Sequence, residues 1–247
     1  MAAERRAASA AAPAGRPEYL MAGGTIASRL PSSGRRVWLS VELVILFILA
    51  PLAMREAVHV AHVPLFLALL PVFAFAVLLL LADSTFRLRT ELIRGFSWQH
   101  LLSILAVFCI AGGAVAYWVW LTHPQWWLEF PKRRPELWAR IMLLYPFASV
   151  AVQELVYRTF YFHRYGPLFG RQRWFGILLN GLLFGFGHIV IGTTFAIVGT
   201  MATGLLFAWR YSATRSFWAV SLEHTLWGWL VFTVGLGRYF FTGVSNL

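Results

Sequence analysis

Seven apolar runs, each close to the length needed to cross a bilayer, leave this chain few alternatives to a helical membrane fold. They fall at residues 37–54, 63–82, 101–121, 137–161, 174–191, 195–211 and 217–236. A helix rises about 1.5 Å per residue, so about 20 apolar residues bridge the hydrocarbon layer with every backbone hydrogen bond satisfied internally. At 59% hydrophobic and 13% charged residues, with a mean hydropathy of +0.66, the chain is too apolar for an ordinary soluble domain. The expected fold is all-α, a polytopic transmembrane bundle of about seven spans over residues 37–247. Residues 1–36, rich in Ala, Gly, Ser, Pro and Arg with few acids, cannot bury a core and are expected to form a disordered basic tail. An organelle transit peptide has a similar composition.

The net charge of +11 orients the protein instead of pointing to nucleic acid. With the N-terminus inside, roughly fourteen arginines (in the tail, at 87–94 and 164–173, and at Arg210 and Arg215) face the inner side, against roughly five basic residues outside, as the positive-inside rule requires. Lys132-Arg133-Arg134 beside Trp126-Trp127 is the exception, and reads as an interfacial anchor in an outer loop. Aromatic span ends such as Tyr117, Trp118, Trp120 and Tyr239-Phe240-Phe241 suit interfacial belts better than base stacking, so the expected partner is the lipid bilayer and no nucleic acid. Residues 86–98 mix arginines with Leu88, Leu92, Ile93 and Phe96, the pattern of either a helix lying flat on the inner surface or a solvated loop. Cys109 is the only cysteine, which excludes an intramolecular disulfide; within the third run it is expected to pack.

Ionisable groups inside such runs are costly and therefore informative. Glu154 and Arg158 lie in an otherwise apolar stretch, four residues apart and so on one helical face. In the fifth run Asn180, Phe184 and His188 share a face, and Gly181, Gly185 and Gly187 allow a neighbouring helix to approach closely. The sixth run, with Gly199, Thr200, Thr203 and Gly204, has no ionisable group by this reading and is expected to be a packing helix. In the seventh, Glu223 and His224 are adjacent, about 100° apart around the helix, so only one can aim at a given point. Counting rises from the inner side, Glu154 lies ~15 Å from Arg164, His188 ~21 Å from Trp174 and His224 ~14 Å from Arg215. One carboxylate and two imidazoles thus fall near one level on three helices, which are expected to enclose a conical cavity.

Three motifs in order then give a resemblance. Gln153-Glu154-Leu155-Val156-Tyr157-Arg158, Phe184-Gly185-Phe186-Gly187-His188 and His224-Thr225-Leu226-Trp227-Gly228 resemble the E-E-x-x-x-R, F-x-x-x-H and H-x-x-x-N motifs of the CAAX-protease and bacteriocin-processing (CPBP or Abi) intramembrane proteases. The likeness covers a motif-bearing core at 136–240. Two positions depart from it: Gln153 stands where that family has the first Glu of its pair, which it is thought to use with the histidine of the second motif to activate water. Gly228 stands at the position often held by an oxyanion-stabilising Asn.

The resemblance implies an intramembrane endopeptidase that hydrolyses a peptide bond in or near the membrane, acting on a membrane-associated peptide or protein without a cofactor. Glu154, helped by His188, would activate water, and His224 would donate to the oxyanion. Arg158 would hold the carboxylate, and Gln153 would orient water or substrate through its amide. Tyr157 belongs to the same substrate- or water-orienting group, and Asn180 is a candidate replacement donor for the missing Asn or a cross-helix hydrogen bonder. Glu223 is the second candidate base. A zinc reading uses Glu154, His188 and His224 as ligands with a fourth position for water, but there is no H-E-x-x-H and Arg158 would repel the cation. The non-enzymatic alternative is an inactive membrane scaffold of the same fold. The expected location is the bacterial cytoplasmic membrane.

Overall fold

The computed structural model describes residues 31–93 and 95–240. Among them, long helices coincide with all seven apolar runs: α1 (Ser33–His59), α2 (Leu65–Ala82), α3 (Trp98–Thr122), α4 (Pro135–Arg164), α5 (Arg173–Gly187), α6 (Thr194–Thr214) and α7 (Phe217–Thr233). No strand occurs among the described residues. Four segments are long and apolar enough to cross a membrane: α1, α3, α4, and α5 with the turn that extends it to Val190. The chain is an all-α, multi-pass membrane bundle. Helix α1 begins at Ser33, so its first turn takes in residues 33–36, which composition assigned to the tail; residues 1–30, Arg94 and Phe241 lie outside the described residues.

Short polar residues set several helix starts. The side chains of Ser97, Thr193 and Ser216 accept from the backbone N–H of His100, Ala196 and Ala219, capping α3, α6 and α7. Helices α5 and α6 pack along glycines. A Cβ at Gly181 would lie 2.5 Å from Leu205 Cδ2, one at Gly185 would strike Met201 and one at Gly204 would come within 2.9 Å of Phe184 Cδ1. The small-residue spacing thus produces the close approach it predicts.

Large apolar side chains such as Leu102, Ile110, Leu143, Phe147 and Trp174 are exposed, as a bilayer-facing surface demands. Cys109 is exposed as well and does not pack against the bundle, contrary to expectation. Within 86–98, read as either a flat surface helix or a solvated loop, a helix spans Leu88–Ile93 and buries no residue.

Polar contacts fasten the bundle at both ends. At one end Arg164 of α4 binds both carboxylate oxygens of Glu42 on α1, at 2.6 and 2.7 Å, and Tyr165 donates to the same group. At the other, the His59 ring bonds the Val190 carbonyl at 2.8 Å, and Thr193 donates to the Tyr239 carbonyl. Two π-helical turns interrupt α4, Pro146–Val150 and Leu155–Phe160, on either side of the single turn Ala151–Glu154. Such extra-residue turns re-aim side chains and recur at functional sites.

Candidate active site

Glu154 is fully buried, and its carboxylate joins two helices. Oε1 lies 2.7 Å from Nδ1 of His224 on α7. Oε2 lies 3.4 Å from Nε of Arg158, one turn along α4, without hydrogen-bond geometry. The four-residue spacing and the common depth read from the sequence therefore meet at one carboxylate.

Arg158, also fully buried, is held from the far side. Its Nη1 donates to Asn180 Oδ1 at 2.8 Å and its Nη2 to the Gly204 carbonyl at 3.5 Å, while its guanidinium carbon sits 4.7 Å above the Phe184 ring. Asn180 Nδ2 donates to the Tyr157 carbonyl at 2.6 Å. Both ends of the Asn180 amide are engaged in fixing Arg158 and α4. This geometry matches the cross-helix role weighed for Asn180 and leaves it poorly placed as a free oxyanion donor.

Phe184 gathers the remaining groups. Its ring meets His188 edge-on at 4.9 Å and His224 edge-on at 5.6 Å, and His224 stacks on Phe207 at 4.8 Å. His188 Nδ1 lies 2.8 Å from the Phe184 carbonyl. A carbonyl only accepts, so Nδ1 carries the proton and Nε2 keeps its lone pair, the atom able to take a proton. Because a carboxylate likewise only accepts, the same argument puts a proton on Nδ1 of His224.

The other expected residues are placed as follows. Gln153 Nε2 donates to Ser149 Oγ at 2.7 Å, while its Oε1 is buried without a hydrogen-bond partner. The Tyr157 hydroxyl lies over Gly187, where a Cβ would strike it. Glu223 does not face this site. It is fully buried and bound on both oxygens by Arg210 of α6, at 2.8 and 2.9 Å, and Arg210 Nη1 reaches Ser103 Oγ on α3 at 2.6 Å. A carboxylate closed by a bidentate guanidinium has little capacity left as a base, which corrects the reading of Glu223 as an alternative. It also corrects α6: Arg210 gives that helix a buried ionisable group.

Sequence reasoning missed Tyr145. Its hydroxyl lies 3.2 Å from Nε2 of His224, and its ring occupies the space beside Gly228. The one available signal was the glycine at 228, which marks room for a neighbour without saying which.

Among the described residues no group of three His, Cys, Asp or Glu side chains is arranged to hold an ion, and the Arg158 guanidinium stands beside Glu154 where a cation would sit.

Fold and site together define a multi-pass helical membrane protein built around a buried carboxylate, imidazole and guanidinium. Residues 135–230 match the family model described as type II CAAX prenyl endopeptidase Rce1-like, in line with the resemblance that the three motifs carry. No curated protein and no solved structure matches the chain.

Proposed function

We propose that this chain is an intramembrane endopeptidase of the glutamic type, hydrolysing a peptide bond of a membrane-associated peptide or protein by attack of an activated water. One observation carries the reading. Glu154 has one oxygen bound to His224, while its other oxygen is buried, faces Arg158 Nε at 3.4 Å and accepts no hydrogen bond. A buried carboxylate oxygen that accepts no hydrogen bond keeps a lone pair with which to take a proton from water.

In this mechanism Glu154 and the Nε2 lone pair of His188 draw the proton from water as its oxygen adds to the carbonyl carbon. The carbonyl oxygen becomes the oxyanion; the neutral His224 ring, whose single N–H is directed at Glu154, would donate to it only after taking up a second proton at Nε2. Arg158, fixed by Asn180 and Phe184, positions the carboxylate. The amide of Gln153 orients the water or the substrate backbone but cannot take a proton. No cofactor is required; a zinc-dependent variant would have to displace Arg158 from Glu154. The proposed location is the bacterial cytoplasmic membrane, with the inner N-terminus that the arginine distribution supports.

The test is cleavage of a broad panel of membrane peptides, prenylated and unprenylated, by purified protein in detergent or vesicles, beside Glu154→Gln. Cleavage by the unmodified protein and none by the variant supports the reading. Silence of the unmodified protein across the panel supports the inactive scaffold instead.

A further inference from the structure

The Tyr145 hydroxyl is a polar contact of the site that the mechanism above does not use. Tyr145 stands on α4 directly before Pro146 and the first π-helical turn. Its ring is edge-on to both His224, at 6.1 Å, and Phe232, at 5.6 Å. On α7, Gly228 lies one turn beyond His224. A Cβ there would run into Tyr145 Cε1 and lie 2.5 Å from both Cζ and the hydroxyl oxygen. The absence of a side chain at position 228 is thus the physical condition that lets the phenol reach His224. The two positions, 83 residues apart in the chain (228 − 145), act as one spatial unit.

The result is a row of carboxylate, imidazole and phenol: Glu154 Oε1, His224 Nδ1 at 2.7 Å, and His224 Nε2 with Tyr145 Oη at 3.2 Å. With the Nδ1 proton directed at the carboxylate, Nε2 of the neutral ring accepts from the phenol. Rotation about the Cζ–Oη bond redirects that O–H without moving the ring. A neutral donor held next to the imidazole in a water-poor site is what a developing oxyanion needs.

We propose that the Tyr145 hydroxyl is an oxyanion donor of this enzyme, delivered from α4 into the space left open at Gly228. The inference rests on the endopeptidase reading. In the step it serves, a water O–H bond breaks and its proton passes to the base. The new C–O bond forms, and the carbonyl π pair moves onto the oxygen that the phenol then hydrogen-bonds. No bond to the phenol oxygen is made or broken.

Four variants test it on a peptide that the unmodified protein cleaves. Tyr145→Phe keeps the ring and removes the donor, and kcat should fall about 10²–10³-fold with KM near its original value. Tyr145→Ala should be as impaired. Adding Gly228→Asn to it returns a donor to the vacated space and should recover about tenfold or more, whereas adding Gly228→Leu fills the same space without a donor and should recover nothing. Full turnover by Tyr145→Phe, or equal recovery by Leu and Asn, would reduce Tyr145 to packing and overturn the inference.

A readout independent of turnover is the 15N resonance of His224 Nε2 in histidine-labelled protein, which Tyr145→Phe should shift. An unchanged resonance overturns the inference whatever the protein cleaves. A shifted resonance in a protein that cleaves no peptide of the panel would leave Tyr145 holding the ring only, overturning its oxyanion role together with the endopeptidase reading. An active protein with a fully active Phe variant would sink the inference alone.

Discussion

Two Glu–Arg pairs with both partners buried lie among the described residues, and they differ in completeness. Glu223 and Arg210 form a closed pair: both carboxylate oxygens accept from the guanidinium, whose remaining nitrogen reaches Ser103. Glu154 and Arg158 form an open one, with the facing atoms 3.4 Å apart and no hydrogen bond between them, while each group is held from behind by another helix. A charge in hydrocarbon must be paired, and either arrangement meets that need. Only the open pair leaves a carboxylate oxygen able to accept a proton. Burial of an ion pair is therefore weak evidence of chemistry, and the state of its remaining lone pairs is stronger evidence.

The contrast can be broken most severely at Arg158. Arg158→Ala strands Glu154 without its cation, and breaking a buried pair from one side costs about 3–5 kcal/mol. Folded yield in detergent should drop sharply and cleavage should vanish with it. Unchanged yield and turnover would mean the pair is neither structural nor catalytic.

The closed pair should respond differently. Glu223→Gln leaves Arg210 with a weaker amide partner and Ser103, and should destabilise by about 1–3 kcal/mol in thermal or denaturant unfolding. Turnover per folded molecule should stay within a few-fold of the original, because Glu223 does not face His224. A Glu223→Gln protein that folds normally but cleaves nothing would move the chemistry to the other pair.

The smallest effect is expected at Gln153. Its Nε2 bonds only Ser149, one turn back on the same helix, so Gln153→Ala should change stability by about 1 kcal/mol or less. If the amide only orients, turnover should fall by tenfold at most. Complete loss would give Gln153 a role beyond orientation.

The residues of the open pair were legible in the sequence because each departs from an otherwise apolar run. Four-residue spacing put Glu154 and Arg158 on one face, and depth counting brought His224 to the same level, where the 2.7 Å contact is found. The direction of Glu223 was not legible. Adjacent helical residues diverge by about 100°, and nothing local says which of Glu223 and His224 turns toward α4 and which toward Arg210. Arg210 itself looked like one of the inner-side arginines because it stands near the end of its run, yet it is buried.

Tyr145 was invisible for a related reason. An aromatic in a membrane helix reads as belt or packing, and its contact with His224 depends on a missing Cβ on a different helix. The π-helical turns flanking Ala151–Glu154 leave no mark in composition either, since one extra residue per turn does not alter an apolar run.

The most direct test of the account is a side-by-side cleavage assay of Glu154→Gln and Glu223→Gln, each normalised to folded protein, on one peptide that the unmodified protein hydrolyses. The account predicts a Glu154→Gln protein that inserts and purifies but has lost turnover by about 10²–10⁴-fold, and a Glu223→Gln protein that is less stable yet turns over at close to the original rate. The reverse pattern, with Glu223→Gln dead and Glu154→Gln active, would contradict it.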